Sequence, residues 1–295
     1  MTKRDLSIAL FITFIWGINF SFIKLGLSSL DPFMLAALRF FLCCFPLVFF
    51  IKKPDVEFKY IVSYGLLFGV GLWGVLYLGM YFGVSAGVAS IVLQLGVFLT
   101  VLLSYIILNE KIYIHNKIAF IVALIGIFLI FLLDDGTVTV LGMMFVILSS
   151  VSFAFLQIIV KKAKTKDVFS FLVYSTLFPP IPLLLLSYIT NGDVVFINFL
   201  SNIDSNAIIS ILFQVYPTTL FGYYIWNILL NKYKVSQISP LSLLIPIFGL
   251  LGSYLFFNEE VGFYKILASL VIILGLVINT FGAKVFTNLK RVDKD

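Results

Sequence analysis

Ser104-Tyr105-Ile106-Ile107-Leu108-Asn109-Glu110 recurs 149 residues later as Ser253-Tyr254-Leu255-Phe256-Phe257-Asn258-Glu259. The same offset aligns Ser90 with Ser239 and Gly126 with Gly275. Earlier in the chain an offset of 136 aligns Asp31 with Asp167, Phe33 with Phe169 and Pro46 with Pro182. Each heptad closes a long apolar run. The spacing therefore predicts two halves, 1–133 and 139–284, followed by a basic tail at 285–295.

The runs themselves say what solvent the halves face. Hydrophobic residues make up 61% of the 295 residues, charged residues only 12%, and the mean hydropathy is +1.13. That charge is about half of what a water-soluble chain carries. A backbone in lipid must satisfy its own hydrogen bonds, which leaves helices or closed barrels. The runs are continuous and do not alternate, so helices are expected. They fall at 5–25, 32–51, 58–82, 86–108, 116–133, 139–160, 168–190, 205–230, 236–257 and 263–284. Each approaches the roughly 20 residues that cross about 30 Å of hydrocarbon. The first run resembles a signal peptide's but has no small-residue cleavage site, and further spans follow at once.

Lys and Arg placement tests the count of ten. With the N-terminus in the cytoplasm, every basic residue except Lys24, Arg39 and Lys265 falls in a cytoplasmic segment. The outside segments Asp134-Asp135-Gly136-Thr137 and 191–205 hold none. Basic residues stay on the cytoplasmic side during insertion. Ten transmembrane helices with both termini cytoplasmic are therefore expected. Five helices per half is an odd number, so the halves are inverted relative to each other. Inverted repeats are a recurrent transporter architecture, with the substrate near the midplane between them. A duplicated structural bundle without transport is the alternative.

Ionisable residues within a span are expensive and point to function. Arg39 is the clear one, and a guanidinium can hold a substrate carboxylate through two parallel bonds. Otherwise it snorkels to the interface or bonds a loop carbonyl. Lys24, at the end of helix 1, is expected to snorkel. Glu110 and Glu259 read as helix-terminal latches within each repeat. Uncharged polar and aromatic candidates are Trp16 and Asn19 on one face of helix 1, Tyr77 on helix 3, Gln94 on the helix 4 stripe, and Gln157 on helix 6. Trp226 and Asn227 on helix 8 and Ser242 on helix 9 complete them. Such groups either bond helix to helix or line a cavity. Together they suggest a mildly polar cavity suited to a small zwitterion. Pro240 and Pro246 flank Ser242 and free carbonyls near it. The glycines Gly65, Gly69, Gly71, Gly74, Gly79 and Gly83 allow close approach to helix 3.

Other classes fit poorly. The net charge of +6 is spread over short loops, so nucleic acid is not expected as a partner. Adjacent Cys43 and Cys44 form no metal motif and read as small packing residues. His115 is the one histidine, and no nucleophile–base pair shares a depth, so neither an enzyme nor a cofactor or metal site is expected. The implied partners are membrane lipid and a small-molecule substrate. The oligomeric state stays open, a monomer included.

Trp16-Gly17-Ile18-Asn19-Phe20 with Lys24, Pro32 to Arg39-Phe40, and Gly87-Val88-Ala89-Ser90-Ile91-Val92-Leu93-Gln94 carry a further reading. With the twin Asn-Glu helix ends, Gly222-Tyr223-Tyr224-Ile225-Trp226 and Pro240-Leu241-Ser242-Leu243-Leu244-Ile245-Pro246, the whole chain resembles EamA-type members of the drug/metabolite transporter superfamily. The resemblance implies a multi-pass inner-membrane secondary transporter. It would export small amino acids or related metabolites, cysteine- or O-acetylserine-like, by alternating access. It further implies a cavity lined from both halves, which brings Trp16, Asn19, Gln94, Trp226 and Ser242 forward. Gln157 stands where relatives often carry an aromatic-rich motif. A sugar or nucleotide-sugar carrier of the same superfamily would want more basic residues than Arg39 for the phosphates. A regulatory or scaffold protein would want a soluble sensing domain, and none is visible.

Overall fold

A computed structural model describes residues 1–133, 135–233 and 235–292, and within them all side chains but those at 200, 231, 235, 236, 239, 240 and 283–292. The described residues contain no strand. Nine helices among them are long and apolar enough to cross a bilayer. They are α1 (Lys3–Leu27), α2 (Pro32–Phe49), α3 (Phe58–Tyr81), α4 (Ala86–Leu108), α5 (Ile114–Phe131), α6 (Val140–Ala163), α7 (Val168–Asn191), α8 (Ser205–Leu230) and, after the shorter apolar α9 (Leu241–Phe257), α10 (Phe263–Gly282). Exposed Phe11, Ile121, Phe128, Ile181, Ile189 and Leu255 give the bundle an apolar exterior, which calls for lipid around it.

The ninth expected span, 236–257, is not one continuous α-helix. A 3-10 stretch, Ser239–Leu244, precedes its regular part. Pro240 and Pro246 have no N–H to offer the ladder, which explains the irregularity. Lys234 and Lys294 lie outside the described residues, as do the side chains of Lys284, Lys290 and Arg291, so part of the expected charge asymmetry falls there.

Several residues paired by the sequence offsets do the same local work. Asp31 caps α2, accepting from the N–H groups of Phe33 and Met34 at 3.1 Å each, with Pro32 at the first helical position. Asp167 caps α7, accepting from Ser170 N–H at 3.0 Å. Such caps satisfy donors that the first turn leaves free. Asn109 ends α4 at φ 55° and Asn258 ends α9 at φ 50°, both left-handed. Among residues with a side chain, Asn tolerates that conformation well. Replacing Asn109 by Gly should leave thermal stability in detergent unchanged or slightly raised. Asn109→Val should lower it by about 1–2 kcal/mol, the cost of a left-handed residue with a crowded Cβ.

Gly126 and Gly275 lie where α5 and α10 pack together. A Cβ on Gly126 would stand 2.4 Å from Ile272 Cγ1, and one on Gly275 3.0 Å from the Ala119 carbonyl. Both helices use the missing side chain to bring backbones close. The glycines of α3 serve α6 and α7 in the same way, with Gly65 against the Ser175 carbonyl and Gly69 against Pro179. The α-helical ladder also slips at related depths. π-helical segments occupy Leu67–Gly74 in α3 and Gln214–Phe221 in α8. α4 breaks at Leu93 and Gln94.

Polar contacts gather at the two ends of the bundle. At one end Lys232 pairs with Asp5 at 2.7 Å, Tyr174 Oη donates to the Ile51 carbonyl, and Glu110 pairs with Lys161. At the other, Ser29 bonds Asp204, Ser187 bonds Asp31, and Ser85, Asp135, Glu259 and Lys265 meet. Glu110 and Glu259 are thus not latches within their own repeats alone. The left-handed asparagine before each turns the chain back on itself. The carboxylate then reaches a partner from the other half, Lys161 for Glu110 and Ser85 for Glu259.

Candidate functional site

Arg39 neither snorkels nor bonds a loop carbonyl. It is fully buried, and its partners come from α3 and α8. Nη1 donates to Tyr77 Oη at 2.7 Å and reaches Gln214 Oε1 at 3.4 Å, while Nη2 donates to Thr219 Oγ1 at 2.9 Å. Tyr77 Oη also donates to Gln214 Oε1, and Gln214 Nε2 donates to Ser210 Oγ at 2.8 Å. The guanidinium carbon lies 4.2 Å from the centre of the Trp73 ring, a cation–π contact.

The π-helical segment of α8 makes this convergence possible. In an α-helix residues 214 and 219 would point about 140° apart. A π turn brings residues five apart onto one face. Gln214 and Thr219 are therefore stacked, and Thr219 Oγ1 donates to the Gln214 carbonyl at 2.7 Å. Pro217 sits inside the segment and contributes no N–H to an α ladder.

α1 grips the same segment one residue away. Trp16 Nε1 donates to the Thr218 carbonyl at 3.1 Å, and Asn19 Oδ1 accepts from Thr218 Oγ1 at 3.0 Å. The shared face of Trp16 and Asn19 is thus used on a single residue of the other half. Aromatic rings continue outward. Trp16 lies 5.0 Å from Trp226 and 5.3 Å from Tyr223, Tyr223 lies 6.0 Å from Phe68, and Phe68 lies 6.5 Å from Trp73.

The electrostatics are one-sided. Arg39 has no carboxylate partner among the described residues, only neutral acceptors. Arg39 Nε, Trp73 Nε1 and Asn19 Nδ2 are buried N–H donors without an acceptor among the described residues. A buried charge normally carries a counter-ion, and a buried donor normally carries an acceptor. The cluster therefore complements a small, acceptor-rich anionic group, with aromatic faces beside it for an apolar or cationic remainder.

Of the residues expected from the sequence, Trp16, Asn19, Arg39, Tyr77 and Trp226 come together here. Gln94 lies at the break in α4, half-buried, with no side-chain hydrogen bond among the described residues. Asn227 is half-buried on α8, and Ser242 is half-buried in the 3-10 stretch. Gln157 is exposed on α6. Gln214, Thr218, Thr219 and Trp73 are central in the structure and were not singled out from the sequence. The available signal was Gln214 within an apolar span, followed by Pro217-Thr218-Thr219.

Known proteins match nearly the whole chain. The EamA-like transporter family matches residues 5–132 and again residues 140–281. The chain belongs to that family. An Escherichia coli (strain K12) EamA relative named "Probable amino-acid metabolite efflux pump" is 34% identical, covering 96% of this chain and 97% of its own. A Salmonella typhimurium protein of the same name is 33% identical, with 97% of both chains covered. A solved crystal structure superposes with a TM-score of 0.62 at 17% identity, covering 95% of this chain and 99% of that one. It shares the fold. The EamA chain described here is thus a multi-pass transporter of the cell membrane.

Proposed function

We propose that this protein exports small amino acids or related metabolites across the cell membrane by alternating access. Ten crossings would form two inverted five-helix halves with both termini cytoplasmic, α9 supplying the tenth. The two separate family matches and the paired caps, glycines and π-helical segments support that reading. The substrate would bind between the halves at Arg39, Tyr77, Asn19, Trp16 and Trp226, with Gln94, Asn227 and Ser242 reached as the halves move.

The observation that carries the proposal is the buried guanidinium of Arg39. It is held by residues of both halves and paired to no carboxylate among the described residues. Relatives that share the full length are named for amino-acid metabolite efflux, so cysteine and O-acetylserine are the first cargoes to test. Purified protein in liposomes loaded with either compound should show saturable efflux. Asn19→Ala and Gln94→Ala should each slow it by roughly tenfold, the equivalent of one lost hydrogen bond to substrate. Folded protein giving no efflux above empty liposomes would remove the cysteine-type assignment. Wild-type rates in both variants would move the site elsewhere.

A further inference from the structure

One ionic cluster, built around a buried lysine and a buried glutamate, takes no part in the site. Lys265 is fully buried, its Nζ 3.1 Å from Glu259 Oε1 and 3.0 Å from Asp135 Oδ2. It also donates to the Glu260 carbonyl at 2.8 Å. Glu259 Oε1 accepts from Ser85 Oγ at 2.5 Å, and Ser253 Oγ donates to Glu259 Oε2. Thr137 N–H donates to Asp135 Oδ1, and Ser85 N–H donates to the Thr137 carbonyl, each at 3.0 Å. The contacts close a ring: Ser85, Glu259, Lys265, Asp135, Thr137 and back to Ser85. Burial pushes the Asp135 carboxyl up, but hydrogen bonds from Thr137 and Lys265 outweigh it and hold the group below its usual value.

The ring joins the halves at one end of the bundle. Ser85 starts α4, and Asp135 and Thr137 lie between α5 and α6. Glu259 lies in the turn between α9 and α10, and Lys265 in the first turn of α10. The opposite end has ion pairs of another kind. Glu110–Lys161 has side chains 44% and 55% exposed, and Lys232 is 53% exposed although its partner Asp5 is only 12% exposed, so each pair there has at least one solvated partner. Water and salt screen exposed pairs until they contribute little, whereas a buried, fully bonded group resists separation. One Asn-Glu helix end is thus locked and its counterpart is loose.

We propose that the ring of Ser85, Asp135, Thr137, Glu259 and Lys265 is the outer seal of the transporter and the stronger of its two seals. It must part before the Arg39 site opens outward, and intact it biases the resting protein toward cytoplasmic access. The proposal rests on the alternating-access reading above. Its position suits the task, since water entering at the membrane surface can replace each partner as the ring opens. It also accounts for Lys265, one of the three basic residues that fall outside the expected cytoplasmic segments. Two carboxylates neutralise it there.

A native reporter lies at hand. Cys43 is fully buried on α2, one turn beyond Arg39, and a buried thiol stays inert until water reaches it. In the full chain carrying Cys44→Ser, a charged, membrane-impermeant methanethiosulfonate is applied to proteoliposomes from each side. Glu259→Gln and Asp135→Asn should raise external labelling of Cys43 by about fivefold or more and reduce cytoplasmic labelling, a typical size for a conformational coupling. Asp135 is the most exposed charged member of the ring, so Asp135→Asn decides alone where Glu259→Gln does not fold. Unchanged external labelling, with efflux and cytoplasmic labelling preserved, overturns the seal and leaves alternating access standing. Labelling from neither side in any variant overturns alternating access and the seal with it.

Discussion

Arg39→Met should abolish saturable efflux while leaving the melting temperature in detergent unchanged or higher, and Arg39→Lys should not restore transport. The first half follows from what the guanidinium lacks. Its acceptors are the neutral oxygens of Tyr77, Gln214 and Thr219, and its Nε has none among the described residues. A charge so held is poorly compensated, and replacing such a group by an apolar side chain of similar size is often neutral or stabilising. Tyr77 and Gln214 still bond each other once it is gone. The second half follows from substrate binding. A hydrogen bond to a charged group contributes about 1.5–3 kcal/mol, roughly 10–150-fold in affinity. The lysine ammonium is a point charge without the planar fork, so it cannot serve Tyr77, Thr219 and a substrate carboxylate together. Efflux by Arg39→Met at the wild-type rate would show that the guanidinium is structural. A large drop in melting temperature would show the same by another route.

What was legible in the sequence depended on which period a residue obeyed. The membrane class, the helix positions and the paired ends rest on long apolar runs and on local chemistry, so Asp31, Asp167, Asn109 and Asn258 could be located before any contact was known. Trp16, Asn19 and Arg39 were legible because a polar or charged group inside a span is expensive wherever it points. Gln214 and Thr219 were not, because they share a face only in a π-helical turn and the α period separates them. Trp73 was read past as one more apolar residue in α3, since nothing local announces that a guanidinium will lie over its ring. Gln157 shows the opposite case, an expected site residue that lies exposed. It is polar within a run, but it stands close to Lys161 and Lys162 near the end of α6, where an exposed amide costs little.

Gly17→Ala should unseat the site more thoroughly than the loss of any polar contact within it. A Cβ at Gly17 would stand 2.4 Å from Phe248 Cβ, 2.7 Å from the Ile245 carbonyl and 2.9 Å from Gly249 N. Two of those three atoms are backbone of α9, so no rotamer change relieves the overlap and α1 must move away. Its neighbours Trp16 and Asn19 would then leave Thr218, opening the contact between the halves at the depth of Arg39. Overpacking costs about 1–3 kcal/mol where side chains can yield, and a backbone clash belongs at or above the upper end. Gly249→Ala is the informative comparison, because its Cβ would overlap only Ser90, at 2.1 Å from Oγ and 2.5 Å from Cβ, with the Gly17 carbonyl at an ordinary 3.7 Å. Ser90→Gly should therefore rescue Gly249→Ala, and no single small substitution in α9 should rescue Gly17→Ala. The readout is thermal melting in detergent together with the monodisperse fraction. Gly17→Ala melting within a degree of the wild type would mean that α1 and α9 have slack that these distances do not allow, and the rigid placement of Trp16 and Asn19 would have to be abandoned.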